Sequence, residues 1–259
     1  MATPDLSDLK DRSERIRWGR KARAYLVHLF TASGVAFAFL AMAEVVQTNL
    51  DPRWVFGWLT LAVFIDAADG PLARLWDVKL YASRILGGTI DIIVDYLTFT
   101  FIPLILVWRM DWLPDPDGLW VVLAMVASLF GFANTSAKQS KDGFFLGFPS
   151  YWNVVAYYVG LLTVEFGTAG AYFSLGSVLV LTVLTVVPVR FVYPNEAPSP
   201  WRAVVTVGGI AWLGLLLALL PAFPDLPAWG GDWVLWVSFV YPAFYFGLSG
   251  WLDWTSRQS

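Results

Sequence analysis

Asp66-Ala67-Ala68-Asp69-Gly70-Pro71-Leu72-Ala73-Arg74 and, further on, Gly87-Gly88-Thr89-Ile90-Asp91-Ile92-Ile93-Val94-Asp95 decide how this chain is read. Four carboxylates, an arginine and several small residues sit at the ends of two otherwise apolar segments. An ionised carboxylate at membrane depth costs roughly 3 kcal/mol on insertion scales, and more without a partner. Four converging acids therefore need compensating positive charge. Divalent cations supply it, because hard cations take carboxylate oxygens and bridge to phosphates. Asp66 and Asp69 are spaced i,i+3, and Asp91 and Asp95 i,i+4, so on helices each pair shares a face. The small residues after the first pair let a phosphate approach the backbone, and Arg74 can fork onto its oxygens. The alternative, four aspartates solvated at a membrane surface, does not explain the glycines at fixed places among them.

Working outward, the 259 residues are 58% hydrophobic and 14% charged, with a mean hydropathy of +0.60, too apolar for an ordinary soluble domain. Tryptophan favours the bilayer–water boundary, and ten tryptophans fall at segment ends: Trp18, Trp54, Trp76, Trp108, Trp112, Trp152, Trp201, Trp233, Trp251 and Trp254. The absence of cysteine excludes disulfides, thiolate metal sites and a cysteine nucleophile. About eight apolar segments can be drawn, near 24–46, 54–69, 90–108, 119–136, 151–166, 169–189, 204–221 and 233–251. The expected fold is therefore all-α, a polytopic integral membrane helical bundle. Residues 1–23 form a basic lead, read as an amphipathic helix on anionic headgroups, with no cleavable signal expected. Residues 24–259 form a single transmembrane catalytic domain. Basic and aromatic residues do not interleave as in a nucleic-acid groove, so no nucleic-acid partner is expected.

Charge sets the orientation. With the N-terminus in the cytoplasm, the inner segments 1–23, 70–89, 137–150, 190–203 and 252–259 hold 15 of the 17 lysines and arginines. Only Arg53 and Arg109 fall outside, whereas the reverse orientation inverts that ratio. The chain is thus expected N-in and C-in, with the aspartates at the cytoplasmic ends of the second and third spans.

The quoted residues resemble the signature of the CDP-alcohol phosphotransferase family, D-x-x-D-G-x-x-A-R…G-x-x-x-D-x-x-x-D. Asp66, Asp69, Gly70, Ala73, Arg74, Gly87, Asp91 and Asp95 fill all of its positions. One departure is the gap between Arg74 and Gly87, the twelve residues 75–86, longer than is usual in the family. That gap, with the later run Gly147-Phe148-Pro149-Ser150-Tyr151-Trp152-Asn153, looks like the bacterial phosphatidylcholine synthase branch. The core signature covers about thirty residues, and the last third of the chain carries nothing specific.

The resemblance implies a metal-dependent enzyme of the bacterial inner membrane that transfers a phosphatidyl group from CDP-diacylglycerol to choline and releases CMP. It implies two Mg²⁺ or Mn²⁺ ions held by Asp66, Asp69, Asp91 and Asp95, with Asp95 also the general base. Asp66, Asp69, Gly70, Ala73, Arg74 and Gly87 would hold the nucleotide and its phosphates, and a homodimer is expected. Choline, a quaternary ammonium, is recognised by aromatic faces. The candidates are Tyr96, Phe148, Tyr151, Trp152, Asn153 and Tyr193; an interfacial aromatic belt is the competing explanation for Tyr151 and Trp152. Serine or inositol phosphate remains open as acceptor. A transporter with buried acids is the competing class, but paired repeats and broken helices are not evident in the sequence.

Overall fold

The computed structural model describes residues 6–134, 138–139, 143–194 and 197–256; residues 1–5 of the basic lead, 137 and 140–142 of the inner segment 137–150, 195–196 of the segment 190–203 and 257–259 of the last inner segment lie outside them. Helix α1 (Leu6–Val45) carries the basic lead into the first apolar run without a break at residues 23–24. Asp51 caps α2 (Pro52–Leu75): its carboxylate accepts the Arg53 backbone N–H at 3.0 Å and pairs with the Arg53 guanidinium at 2.6 Å. Pro52 stands in the first turn, where its missing N–H costs nothing. Helix α2 does not stop at residue 69, where the apolar run fades. It continues through Gly70 and Pro71, so the whole first half of the signature is helical.

The connection that follows holds a single turn, α3 (Val78–Tyr81). The next span is one rod of three parts: α4 (Gly87–Asp95), a π-helical turn (Tyr96–Phe101) and α5 (Ile102–Arg109). Helices α6 (Asp117–Ala133), α7 (Trp152–Val186), α8 (Trp201–Leu219), α9 (Gly231–Ser238) and α10 (Val240–Ser256) complete the chain.

Helix α7 is not a 35-residue rod. Gly167 has φ 55° and ψ −132°, outside the helical region, and a Cβ on Gly170 would collide with the Leu162 carbonyl oxygen. In an unbroken helix those residues lie about 12 Å apart. The chain therefore doubles back. Its two ends meet: Phe148 N–H donates to Leu184 O and Gly147 N–H to Val189 O, both at 2.8 Å. The reversal falls at the gap the sequence placed between 151–166 and 169–189. Beside the meeting ends, away from the reversal, lies a small antiparallel sheet, in the order β1 (Lys138–Gln139), β2 (Phe144–Leu146), β3 (Arg190–Val192), with Phe145 opposite Phe191. Strands of two and three residues carry no readable alternation, which is why the sequence did not announce them.

Among the described residues six helices are long and apolar enough to cross a membrane, and Asp117–Ala133 is a shorter apolar one. The molecule is an all-α polytopic membrane protein whose outward faces are rich in leucine, valine and aromatic side chains. Trp18, Trp54, Trp108, Trp233, Trp251 and Trp254 are exposed, as boundary residues should be, but Trp112 and Trp152 are buried in the core. The C-terminal helices are tied in by tyrosines. Tyr158 Oη donates to Ser238 O at 2.9 Å, and Tyr245 Oη to Val192 O at 2.9 Å.

Candidate active site

Helix α1 is the platform on which α2 and α4 meet. Two glycines allow the approach. A Cβ on Gly34 would lie 2.6 Å from Val94 Cγ1, and one on Gly87 would lie 2.8 Å from His28 Cε1. Val94 is thereby buried against α1. At 100° per residue, its neighbour Asp95 points to the side of that contact, and Asp91 lies one turn earlier on the same flank. The sole histidine thus has a use that its position at the start of an apolar run did not reveal. It is buried, its Nε2 lies 3.4 Å from the Ala82 carbonyl, and it seats the signature glycine at the start of α4.

The outcome is a carboxylate cluster. Asp66 on α2 and Asp91 and Asp95 on α4, all half-buried, each offer an oxygen, and these atoms lie within 4.8 Å of one another. Oxygens around one hard cation at about 2.1–2.4 Å stand at most about 4.2–4.8 Å apart, so the three fit a single coordination sphere. An oxygen-only donor set suits magnesium, calcium or manganese better than a soft metal. Asp69, three residues further along α2, is not one of the three.

Arg74 Nη1 folds back over Gly70, 3.6 Å from where a Cβ would stand. Pro71 lacks the N–H that would bond the Ala67 carbonyl, so α2 carries an unfilled helical acceptor between its two aspartates. Ala73 instead packs, with Leu72 and Trp76, against a small cluster of Ala24, Val27, Val78 and Ala82. That cluster is what holds the long 75–86 connection onto α1.

The aromatic candidates separate. Tyr151, the N-cap residue of α7, lies within electrostatic reach of Tyr193, Asp66 and Asp95. Its ring stands 6.3 Å from Phe99 and 6.3 Å from Phe148. Tyr193 packs edge-on against Phe145 at 4.6 Å beside the sheet. Phe148 is buried among Trp152, Phe191 and Phe246. Trp152 is wholly buried, and its indole N–H donates to Ser128 Oγ at 2.7 Å, a partner nothing in the sequence marked. Tyr96 turns towards α6, donating to Met125 O at 3.3 Å. Asn153 lines an apolar groove between α2, α7 and α8 with Thr60, Val63 and Leu213. The π-helical turn directly after Asp95 resets the helix phase, a device often found at functional sites.

A polytopic helical membrane protein with this aspartate cluster at the signature spacing is of the CDP-alcohol phosphotransferase class. No protein-family model matches the chain. Whole relatives do. A phosphatidylcholine synthase of Pseudomonas aeruginosa is 38% identical over 234 residues, covering 89% of this chain and 92% of that protein. Those of Mesorhizobium japonicum and Bradyrhizobium diazoefficiens are 34% and 37% identical, covering 82% and 80% of this chain and 78% and 76% of theirs. The chain belongs to the phosphatidylcholine synthase family.

Proposed function

We propose that this protein synthesises phosphatidylcholine, transferring the phosphatidyl group of CDP-diacylglycerol to choline. The observation that carries the proposal is the closure of Asp66, Asp91 and Asp95 within 4.8 Å in a chain akin to named phosphatidylcholine synthases over most of its length. The chain crosses the inner membrane eight times, counting each arm of α7 once, α4–α5 as one rod and α9–α10 as another. Both termini and the aspartates then face the cytoplasm, where nucleotide and divalent cations are available, while the lipid enters sideways. Residues 24–259 act as one catalytic domain, and two copies pair as a homodimer.

Asp66, Asp91 and Asp95 would hold a divalent ion, with Asp69 serving a second; both would be Mg²⁺ or Mn²⁺. Bound there, the ions would neutralise the diphosphate and the departing CMP. Each aspartate has two oxygens, so Asp95 can offer one to the cluster and keep the other for the choline hydroxyl. The choline oxygen bonds to the phosphatidyl phosphorus as the bond from that phosphorus to the CMP oxygen breaks. CMP leaves with the electron pair, and the hydroxyl proton passes to Asp95. Arg74, together with the backbone beside Gly70, steadies the phosphates. Tyr151, beside Asp66 and Asp95 and flanked by Phe99 and Phe148, presents an aromatic face to the trimethylammonium group, with Tyr193 behind it.

Purified protein supplied with CDP-diacylglycerol, Mg²⁺ and a panel of alcohols tests this. Choline should release CMP and give phosphatidylcholine. Release with serine or inositol phosphate alone would keep the class and overturn the acceptor. Ion movement across liposomes without CMP release would point to a transporter.

A further inference from the structure

The long 75–86 connection does more than join two spans. Held onto α1 by Val78 and Ala82, it forms one side of a half-open cavity of about 500 Å³ whose walls are the basic half of α1 and residues 80–84. Three cations line it, Arg17, Lys21 and Arg84, against one carboxylate, Glu14. The wall is braced: the Arg20 guanidinium donates to Tyr81 Oη at 2.8 Å, and Lys21 Nζ stands 5.2 Å from the Trp18 ring centroid. At the rim, Trp18 and Leu80 are exposed apolar side chains, and α1 passes from here into its apolar run. The cavity is thus lined mainly by polar and basic groups, with Tyr25 at the end nearest the apolar run of α1 and Trp18 and Leu80 adding exposed apolar surface.

We propose that this cavity binds the phosphodiester of an anionic phospholipid headgroup, at a site separate from the aspartate cluster. The placement rests on the N-in orientation proposed above, which puts the cavity at the anionic cytoplasmic leaflet. Phosphate oxygens suit two guanidinium forks and an ammonium, and basic pockets at the ends of spans are where such headgroups are retained. Free phosphate offers the same oxygens but has no use for the apolar rim, which fits the glycerol backbone and first methylenes of a lipid.

The test is binding, read without turnover. Full-length protein in neutral detergent, with a chelator to disable any cation-dependent phosphate site, is titrated with phosphatidylglycerol and followed by native mass spectrometry. Phosphatidylethanolamine and inorganic phosphate are separate titrants. One saturable phosphatidylglycerol site is expected, weakened roughly 10–30-fold in Lys21→Ala/Arg84→Ala, at about 1 kcal/mol per lost cation. The exposed pair Arg23→Ala/Lys79→Ala, outside the cavity, should leave it unchanged. Equal weakening in that control would reduce the effect to overall surface charge and overturn the site. Displacement of the lipid by inorganic phosphate at matched concentration would overturn the headgroup as occupant. Because the chelator silences transfer, neither result depends on whether choline is the acceptor.

Discussion

Alanine at Gly87 should disable the protein from outside the carboxylate cluster. The new Cβ would stand 2.8 Å from His28 Cε1 and 3.0 Å from Nδ1, about 0.6 Å short of the 3.4 Å at which ordinary contact begins. The His28 ring cannot swing away cheaply, since it is buried, with Tyr25 edge-on at 6.3 Å and Ala82 O at 3.4 Å. The start of α4 must therefore give way, and α4 carries Asp91 and Asp95. Overpacking of this kind costs about 1–3 kcal/mol. A misplacement of about 1 Å in a catalytic constellation can cost a hundredfold in rate, so a shift near 0.6 Å should cost roughly tenfold. The assay is a thermal melt in detergent together with choline-dependent CMP release, for Gly87→Ala, His28→Ala and the double variant. If the ring is the obstacle, the double variant should lose less than the sum of the single losses, by about 1 kcal/mol or more. Strict additivity, or a Gly87→Ala protein with native stability and rate, would refute the reasoning.

Asp51→Ala removes the α2 cap and its ion pair and should cost about 1 kcal/mol of stability. The Arg53 guanidinium holds the Asp51 carboxyl below its ordinary value, so this contribution is present above the unfolded carboxyl range and fades as pH falls through the depressed value. Comparing acid melts of the two proteins checks the sign. Tyr151→Leu should raise the choline KM about 2–30-fold, the worth of one cation–π contact, whereas Trp152→Phe should leave that KM alone and cost about 1 kcal/mol through the lost Ser128 bond. Steady-state kinetics over a choline series, with melts of both variants, separates the two. Asp91→Asn should abolish transfer and lower the affinity for Mn²⁺ in a direct binding titration, since it removes one of the three clustered oxygens.

The spacing of the aspartates was enough to place them on shared helix faces, because i,i+3 and i,i+4 relations survive any helix boundary. Convergence of Asp66 with Asp91 and Asp95 needed more, namely the glycines that let α4 and α1 approach, and only Gly87 among these was visible as part of a motif. The helical state of Gly70 to Leu75 was hidden because glycine and proline ordinarily end a helix, yet packing of Leu72 and Ala73 against α1 carries α2 onward. The reversal at Gly167 was legible from segment length alone. The π-helical turn and the three short strands were not, since a single extra residue in a helix and strands of two or three residues leave no periodic trace. Trp152 shows the limit of composition. Tryptophan at a segment end suggests a boundary belt, but burial is decided by the partners across the bundle, here Ser128 and Phe148.

The most direct test of the account is metal-dependent, choline-dependent CMP release from CDP-diacylglycerol by the purified protein, measured beside Asp95→Asn. The wild type should release CMP only with choline and a divalent cation, and lose the activity on chelation. Asp95→Asn should fall by about 10²–10⁴-fold, the worth of a positioned general base, while still binding nucleotide. Transfer that persists undiminished after chelation, or in Asp95→Asn, would contradict the claim that these carboxylates carry the chemistry.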